Sequence, residues 1–279
     1  MSDLKLRADA RFLVRRPGLV LSAAVIVFVL LAALAPELFT GYDPNAGVPA
    51  EKLQGPSLAH LFGTDQTGRD VFARVVHGAS LSLRATVLAV LVALVAGAAL
   101  GLVAGFRGGW LDSTVMRVVD VLQSVPAILL SLALVTALGF GTTNVAIAVG
   151  VANLASFARL MRAEVLRVRS GVFVEAARAS GVRWSGVLRR HVLPNAVGPV
   201  FVLATLTFGT AVLEVSALSF LGFGAPPPAP EWGTLVAGGR GFLATAWWMT
   251  TFPGLTVAAV VLATNRLSRA FDGERSELR

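Results

Sequence analysis

The stretch of this chain with the most suggestive chemistry reads Glu175-Ala176-Ala177, three residues, Gly181, nine residues, then His191-Val192-Leu193-Pro194. One carboxylate followed by two alanines, with Ala179 close by, gives a helix a thin surface that another protein can approach closely. Four arginines, Arg178, Arg183, Arg189 and Arg190, surround it. Glycine ends a helix cheaply by taking the left-handed conformation, so Gly181 predicts a break between two short helices. Ser185 is a candidate N-cap for the second helix, and Pro194 is expected to stop it. Glu175 has two open roles, contact with a partner protein or an internal pair with a loop arginine. This pattern offers docking rather than bond-breaking.

Other candidates are sparse. There is no Gly-x-x-x-x-Gly-Lys-Ser/Thr loop, and Lys5 and Lys52 are the only lysines, so the chain has no such cradle for nucleotide phosphates. A six-span intramembrane protease would need a nucleophile motif such as Gly-x-Ser-Gly, which is missing. The chain has no cysteine for disulfides or thiolate ligands. His60, His77 and His191 fall far apart in the expected topology, so no metal site is expected. Asp120 and Glu214 lie in or near apolar stretches, where carboxylates are costly and face a cavity or a partner. Asp120 is one turn from Arg117, which favours a structural ion pair or gate contact; for Glu214 a pathway-lining or inter-subunit role stays open. Pro126 is expected to kink its helix. Ala93, Gly97, Gly101 and Gly105 recur every four residues, a stripe suited to close helix packing, against a partner subunit or otherwise. Trp232, Trp247 and Trp248 are expected near a membrane interface, where indoles favour headgroup depth.

The elements that must position these residues are membrane helices. The chain is 55% hydrophobic and 14% charged, with a mean hydropathy of +0.74, whereas a soluble domain carries roughly a quarter charged residues. The deficit lies in long uncharged blocks, which lipid accepts only as helices or a closed barrel. No alternating segments of barrel type occur, so the expected fold class is an all-α membrane protein. Uncharged blocks place span one at Pro17–Pro36 and span two at Ala85–Phe106. The 38-residue uncharged stretch Val121–Ala158 is too long for one crossing and divides at Gly139–Asn144. That gives spans three (Thr114–Leu138) and four (Asn144–Leu160), followed by five (Asn195–Leu218) and six (Trp247–Asn265). Span one resembles a signal peptide, but it exceeds the usual ~7–15 apolar residues and Pro36 follows the Ala33-Leu34-Ala35 site, so it is read as retained.

With the N-terminus inside, 19 of the 24 basic residues fall on the inner side and 5 on the outer. By the positive-inside rule both termini are cytoplasmic. The net charge of +8 thus reads as a topology signal, not a nucleic-acid footprint. The organisation is a cytoplasmic N-terminus (1–16), a first transmembrane helix (17–36) and an outer loop with a short helix near Asp70–His77 (37–84). A core of five further helices (85–265) includes a cytoplasmic loop at 161–194, and a cytoplasmic tail (266–279) follows. That loop is far longer than an ordinary helix connection.

The Glu175-Ala176-Ala177, Gly181, His191-Val192-Leu193-Pro194 pattern resembles the EAA motif of ABC importer permeases. His191 replaces a more usual Ile, and the Arg190-His191-x-Leu193-Pro194-Asn195 form is similar to the peptide and nickel subfamily. Gly63-Thr64-Asp65-Gln66-Thr67-Gly68-Arg69-Asp70 resembles that subfamily's segment before span two. Leu218–Gly224, followed by Pro226-Pro227-Pro228 and Glu231-Trp232-Gly233, resembles its segment after span five. The long first outer loop suggests the C-type permease of dipeptide or oligopeptide importers, and the resemblance covers nearly the whole chain. It implies a type I importer permease fold in a bacterial inner membrane and half of a translocation pathway. Glu175, Ala176, Ala177, Gly181, His191, Leu193 and Pro194 would couple to cytoplasmic ATPase subunits. It further implies a second homologous permease, an extracytoplasmic solute-binding protein, surrounding membrane lipid and no nucleic-acid partner. ATP and Mg would sit on the ATPases, with no cofactor on this chain. Nickel or another small solute is the alternative cargo. An ATP-independent secondary transporter is the alternative mechanism, and it would leave the long loop unexplained.

Overall fold

A computed structural model describes residues 17–277. The basic residues Lys5, Arg7, Arg11, Arg15 and Arg16, and the end of the tail, lie outside it. No β-strand occurs among the described residues, only an isolated bridge between Thr64 and Asp70. The helices are α1 (Pro17–Leu34), α2 (Val71–Arg107), α3 (Gly109–Ser124), α4 (Ala127–Leu138), α5 (Thr142–Arg169), α6 (Val172–Ala179), α7 (Trp184–Val187), α8 (Leu193–Phe220), α9 (Trp232–Gly239) and α10 (Trp248–Glu277). By length and composition α1, α2, α5 and the continuous helical stretch Trp184–Phe220 can each cross a membrane, and the bent pair α3–α4 makes a fifth candidate.

Three expectations about elements are corrected. The separate surface helix at Asp70–His77 does not exist, because α2 runs unbroken for 37 residues from Val71. No proline interrupts it, and the Asp70 carboxylate accepts the Ala73 N–H at 2.6 Å, capping its start. Span three is not one kinked helix but two, bent by 96° at a break before Ala127. Pro126 has no N–H to donate, and it holds Val125 extended at φ −101°, ψ 133°. Pro194 does not stop the helix that precedes it. Leu188–Val192 form a π turn in which the Leu193 N–H reaches back to the Leu188 carbonyl, and α8 continues directly. The wider turn leaves room for the proline ring, whose missing N–H would otherwise break an α-helix.

The chain divides into two compact units. The first comprises the residues through Ala85, Phe140–Thr142 and the residues from Phe208 onward. Its core joins Val29 and Ala32 of α1, Val76, Ala79 and Leu83 of α2, Val212 of α8, Trp232 of α9 and Val257, Val260 and Val261 of α10. The second comprises Thr86–Gly139 and Thr143–Thr207. Its core centres on Phe157, Met161, Val165 and Val168 of α5, packed with Ala93 of α2, Val174 of α6, Val187 and Val192, and Ala196 and Val200 of α8.

Candidate coupling segment and its supports

Glu175, Ala176 and Ala177 sit on a short helix pinned at both ends. Val174, 1% exposed, drives α6 into the core of the second unit, and Val187 and Val192 do the same for the following turns. With Val174 inward, helical spacing turns Val172, Glu175, Ala176 and Ala179 outward, and all four are exposed. Ala177 is half-buried, so the thin outer surface consists of Ala176 and Ala179. The helix ends in a two-bond lock. The Gly181 N–H donates to the Arg178 carbonyl at 3.0 Å, and the Val182 N–H to the Ala177 carbonyl at 3.1 Å. This is the Schellman arrangement, and it needs the left-handed φ of +80° found at Gly181.

Other residues of the segment fall differently from expectation. Arg183, not Ser185, stands at the N-cap of α7, and no side chain caps that helix. Glu175 is exposed in the first turn of α6, and no arginine among the described residues pairs with it. The internal-pair reading of Glu175 therefore has no partner here, and its carboxylate faces outward at the positive end of the helix. His191 is half-buried, its ring 6.4 Å from that of Phe173. Leu193 is half-buried and Pro194 exposed.

Beneath the segment, α5 is clamped to α2 and α3. The stripe on α2 faces α5: a Cβ at Gly97 would lie 2.5 Å from the Leu154 carbonyl oxygen, and one at Gly105 3.0 Å from that of Arg162. At Gly101 a Cβ would collide with the Ala158 carbonyl. These neighbours are backbone atoms and cannot swing aside. Arg162 grips Asp112 of α3 through two bonds of 2.5 and 2.7 Å, and Arg159 reaches Asp120 at 2.7 Å. The partner of Asp120 is thus Arg159 from α5 and not Arg117 on its own helix. Arg169 donates to the Gly105 and Phe106 carbonyls at 3.3 and 3.0 Å, closing the last turn of α2. Pro126 marks the α3–α4 break, and Glu214 is half-buried on α8.

In the first unit, the two other motif stretches form one buried polar network. Asp65 accepts the N–H and hydroxyl of Thr67, each at 2.7 Å, and the N–H and side chain of Arg69 at 3.1 and 2.7 Å. Burial raises the pKa of its carboxyl, but these bonds together outweigh it and hold the group below the usual carboxylate range. Arg74, 6% exposed, ties Pro44 to Pro228 through their carbonyls at 2.9 and 3.3 Å. His60 bonds Asp70 at 2.8 Å. Glu231, 0% exposed, caps α9 by accepting the Gly233 and Thr234 N–H groups, both at 3.2 Å. Burial pushes its carboxyl up despite those bonds. Trp232 is 1% exposed and donates its indole N–H to the Val75 carbonyl at 2.9 Å; Trp248 likewise serves the Thr64 carbonyl at 3.1 Å. Both indoles are structural posts packed against protein, and of the three tryptophans expected near a membrane interface only Trp247 is exposed.

Sequence comparison fits this arrangement. The profile of the family described as "Binding-protein-dependent transport system inner membrane component" matches residues 97–276, which include the whole α6–α8 segment. The chain belongs to this family. It is a multi-pass inner-membrane protein and the permease component of an ABC importer, with relatives in peptide transport. The dipeptide transport system permease protein DppC of Alkalihalophilus pseudofirmus is 43% identical over 90% of this chain and 81% of that protein. The di/tripeptide permease DppC of Pseudomonas aeruginosa is 39% identical over 91% and 84%. The glutathione permease GsiD of Escherichia coli O6:K15:H31 is 41% identical over 95% and 87%. Among solved structures, a chain of the inward-facing MetNI methionine ABC transporter superposes with a TM-score of 0.56 at 25% identity, covering 70% of this chain and 95% of that one. An amino acid ABC transporter crystallised with histidines gives 0.56 at 16% identity over 72% and 94%. Family membership replaces the secondary-transporter alternative.

Proposed function

We propose that this permease forms half of a translocation pathway for short peptides and takes its driving force from cytoplasmic ATPase subunits through residues 172–194. The observation that carries the reading is α6 itself, an exposed helix whose inner face is bolted to the core by Val174 and whose far end is locked at Gly181. A load applied to Glu175, Ala176 and Ala179 passes through Val174, Val187 and Val192 into α5 and α8, with no slack loop between. ATP and Mg belong on the ATPases, since this chain has no phosphate-binding loop. A second homologous permease completes the pathway, and a solute-binding protein delivers the cargo on the outer side.

Six crossings with both termini cytoplasmic fit the contacts within each unit. Arg74 holds Pro44 and Pro228 together, and the Gly141 N–H bonds the Phe223 carbonyl at 2.9 Å. The first outer loop, the α4–α5 turn and the loop after α8 therefore share one side. Arg169 bonded to Phe106 sets the ends of α2 and α5 together, which belongs to the opposite side. On this reading the bent pair α3–α4 crosses once. The α10 helix starts beside Thr64, and its 30 residues are long enough for the sixth crossing.

Peptide cargo is favoured by the dipeptide and di/tripeptide relatives; the GsiD relative supports glutathione as the second reading. The test uses single cysteines at Ala176 and Ala179, with half-buried Ala177 as the inward control, in a chain that has no native cysteine. Cross-linking to the co-expressed ATPase at 176 and 179, changing with nucleotide, is the expected result. Absence of cross-links in an intact complex would remove the coupling role.

A further inference from the structure

The second unit carries ten arginines against four carboxylates. Asp112, Asp120 and Glu164 are already engaged by Arg162, Arg159 and Arg167, and Glu175 points outward. Two of the remaining guanidinium groups lie over a single indole, and a third lines the recess beside it. Arg178 lies 4.7 Å above the Trp184 ring and Arg169 5.6 Å from it. Arg107 lines the same recess, and none of the three has a carboxylate partner among the described residues. The recess has a volume of about 570 Å³. Its polar lining is Arg107, Arg169 and Ser185, and its apolar lining includes Leu102, Val103, Phe106 and Leu188. Phe106 meets Trp184 edge-on at 5.0 Å, while Val103 is 43% and Trp184 46% exposed. Uncompensated cations above an apolar wall at the end of a membrane helix match one kind of ligand, an amphiphile with an anionic head.

We infer that this recess binds an anionic phospholipid, its phosphate held by Arg107 and Arg169, with Arg178 on the Trp184 ring adding positive charge beside them, and its first acyl carbons lying on Leu102, Val103 and Leu188. An acidic protein surface would satisfy the arginines but would leave the apolar wall uncovered. Free phosphate would do the same. The lipid meets both demands, and its headgroup would brace the start of α7 against the end of α2, at the root of the coupling segment. The inference rests on the proposed topology only in assigning the lipid to the cytoplasmic leaflet.

The test uses the full importer complex in nanodiscs containing brominated phosphatidylglycerol or brominated phosphatidylcholine. The Trp184 share of the fluorescence is taken as the difference from Trp184→Phe. Quenching by the glycerol lipid well beyond that by the choline lipid, unaffected by millimolar inorganic phosphate, is expected. Arg107→Gln with Arg178→Gln should lower that preference about fivefold for each guanidinium removed. Both side chains are exposed, so the double variant is expected to fold; near-normal thermal unfolding checks this. Equal quenching by both lipids, or a preference that survives the double variant, would overturn the site. Loss of quenching with added phosphate would assign the recess to a free anion. Quenching absent in the full complex but restored once the ATPase is stripped from it would assign the recess to the ATPase surface. Cross-linking at Ala179 reads the coupling role separately, so either can fail without the other.

Discussion

Asp65 shows how one side chain can hold a loop. Four hydrogen bonds converge on a carboxylate only 5% exposed, and they are made to its charged form. Its folded pKa is depressed, so the stabilisation is complete above the ordinary carboxylate value and is lost as pH falls through the lower folded one. Asp65→Asn keeps the shape but removes the charge, and its amide nitrogen cannot accept the Arg69 Nε–H, so it should cost about 1–3 kcal/mol at neutral pH. Thermal unfolding of the two proteins across pH tests the sign: their gap should stay constant from pH 8 to about pH 5 and close below about pH 4. A gap that widens on acidification would contradict the assignment. The neighbouring Glu231 teaches the opposite lesson, since burial dominates there. Which way each carboxyl's pKa would move was not legible in the sequence, because burial and bond count arise only when distant segments meet. The same holds for Trp232. An indole can face lipid or protein, and only its bond to the Val75 carbonyl shows that Trp232 faces protein.

At the scale of elements, much was legible. Long uncharged blocks located α1, the membrane part of α2, and α5 and α8, because a bilayer imposes length and apolarity on the chain directly. The Gly181 break was also legible, since a left-handed residue is a local requirement. What escaped was the behaviour of prolines. Pro126 breaks its segment by 96°, whereas Pro194 is absorbed by a π turn; the difference lies in whether the preceding turn can widen, which no single residue encodes. Likewise Asp120 found Arg159 across two helices and not the arginine nearest in sequence. The π turn carries its own prediction. Deleting exposed Arg190 would close Leu188–Val192 into an ordinary turn and rotate α6 and α7 by about 100° relative to α8. Val174 and Val187 would leave their core positions. The complex should still assemble in the membrane, but solute-stimulated ATP hydrolysis should fall to the unstimulated rate. Retained stimulation would show that the register of the turn does not transmit force.

For the whole molecule the question is how many times the chain crosses. Apolar length alone yields four helices and one bent pair; α10, with Thr250, Thr251, Pro253 and Asn265 along it, is not among them. On the proposed topology α10 makes the sixth crossing, with the hydrogen-bonded loops on one side. That topology makes a prediction with several independent parts. Cysteines at Ser57, Thr143 and Gly241, all exposed, should react with a membrane-impermeant maleimide added to intact spheroplasts. Cysteines at exposed Ser113 and Ala179 should react only in inverted vesicles. Thr143 is the decisive position, since it labels from outside only if α3 and α4 together make one crossing despite their bend. If Thr143 labels from the inside, the pair is a re-entrant loop. Five crossings would then remain, and the termini would lie on opposite sides, contrary to the bias of 19 basic residues to 5. Labelling of Gly241 from inside would instead remove the crossing by α8. Because the loop bonds and the charge bias are independent constraints, outward labelling at all three positions satisfies both with a single topology.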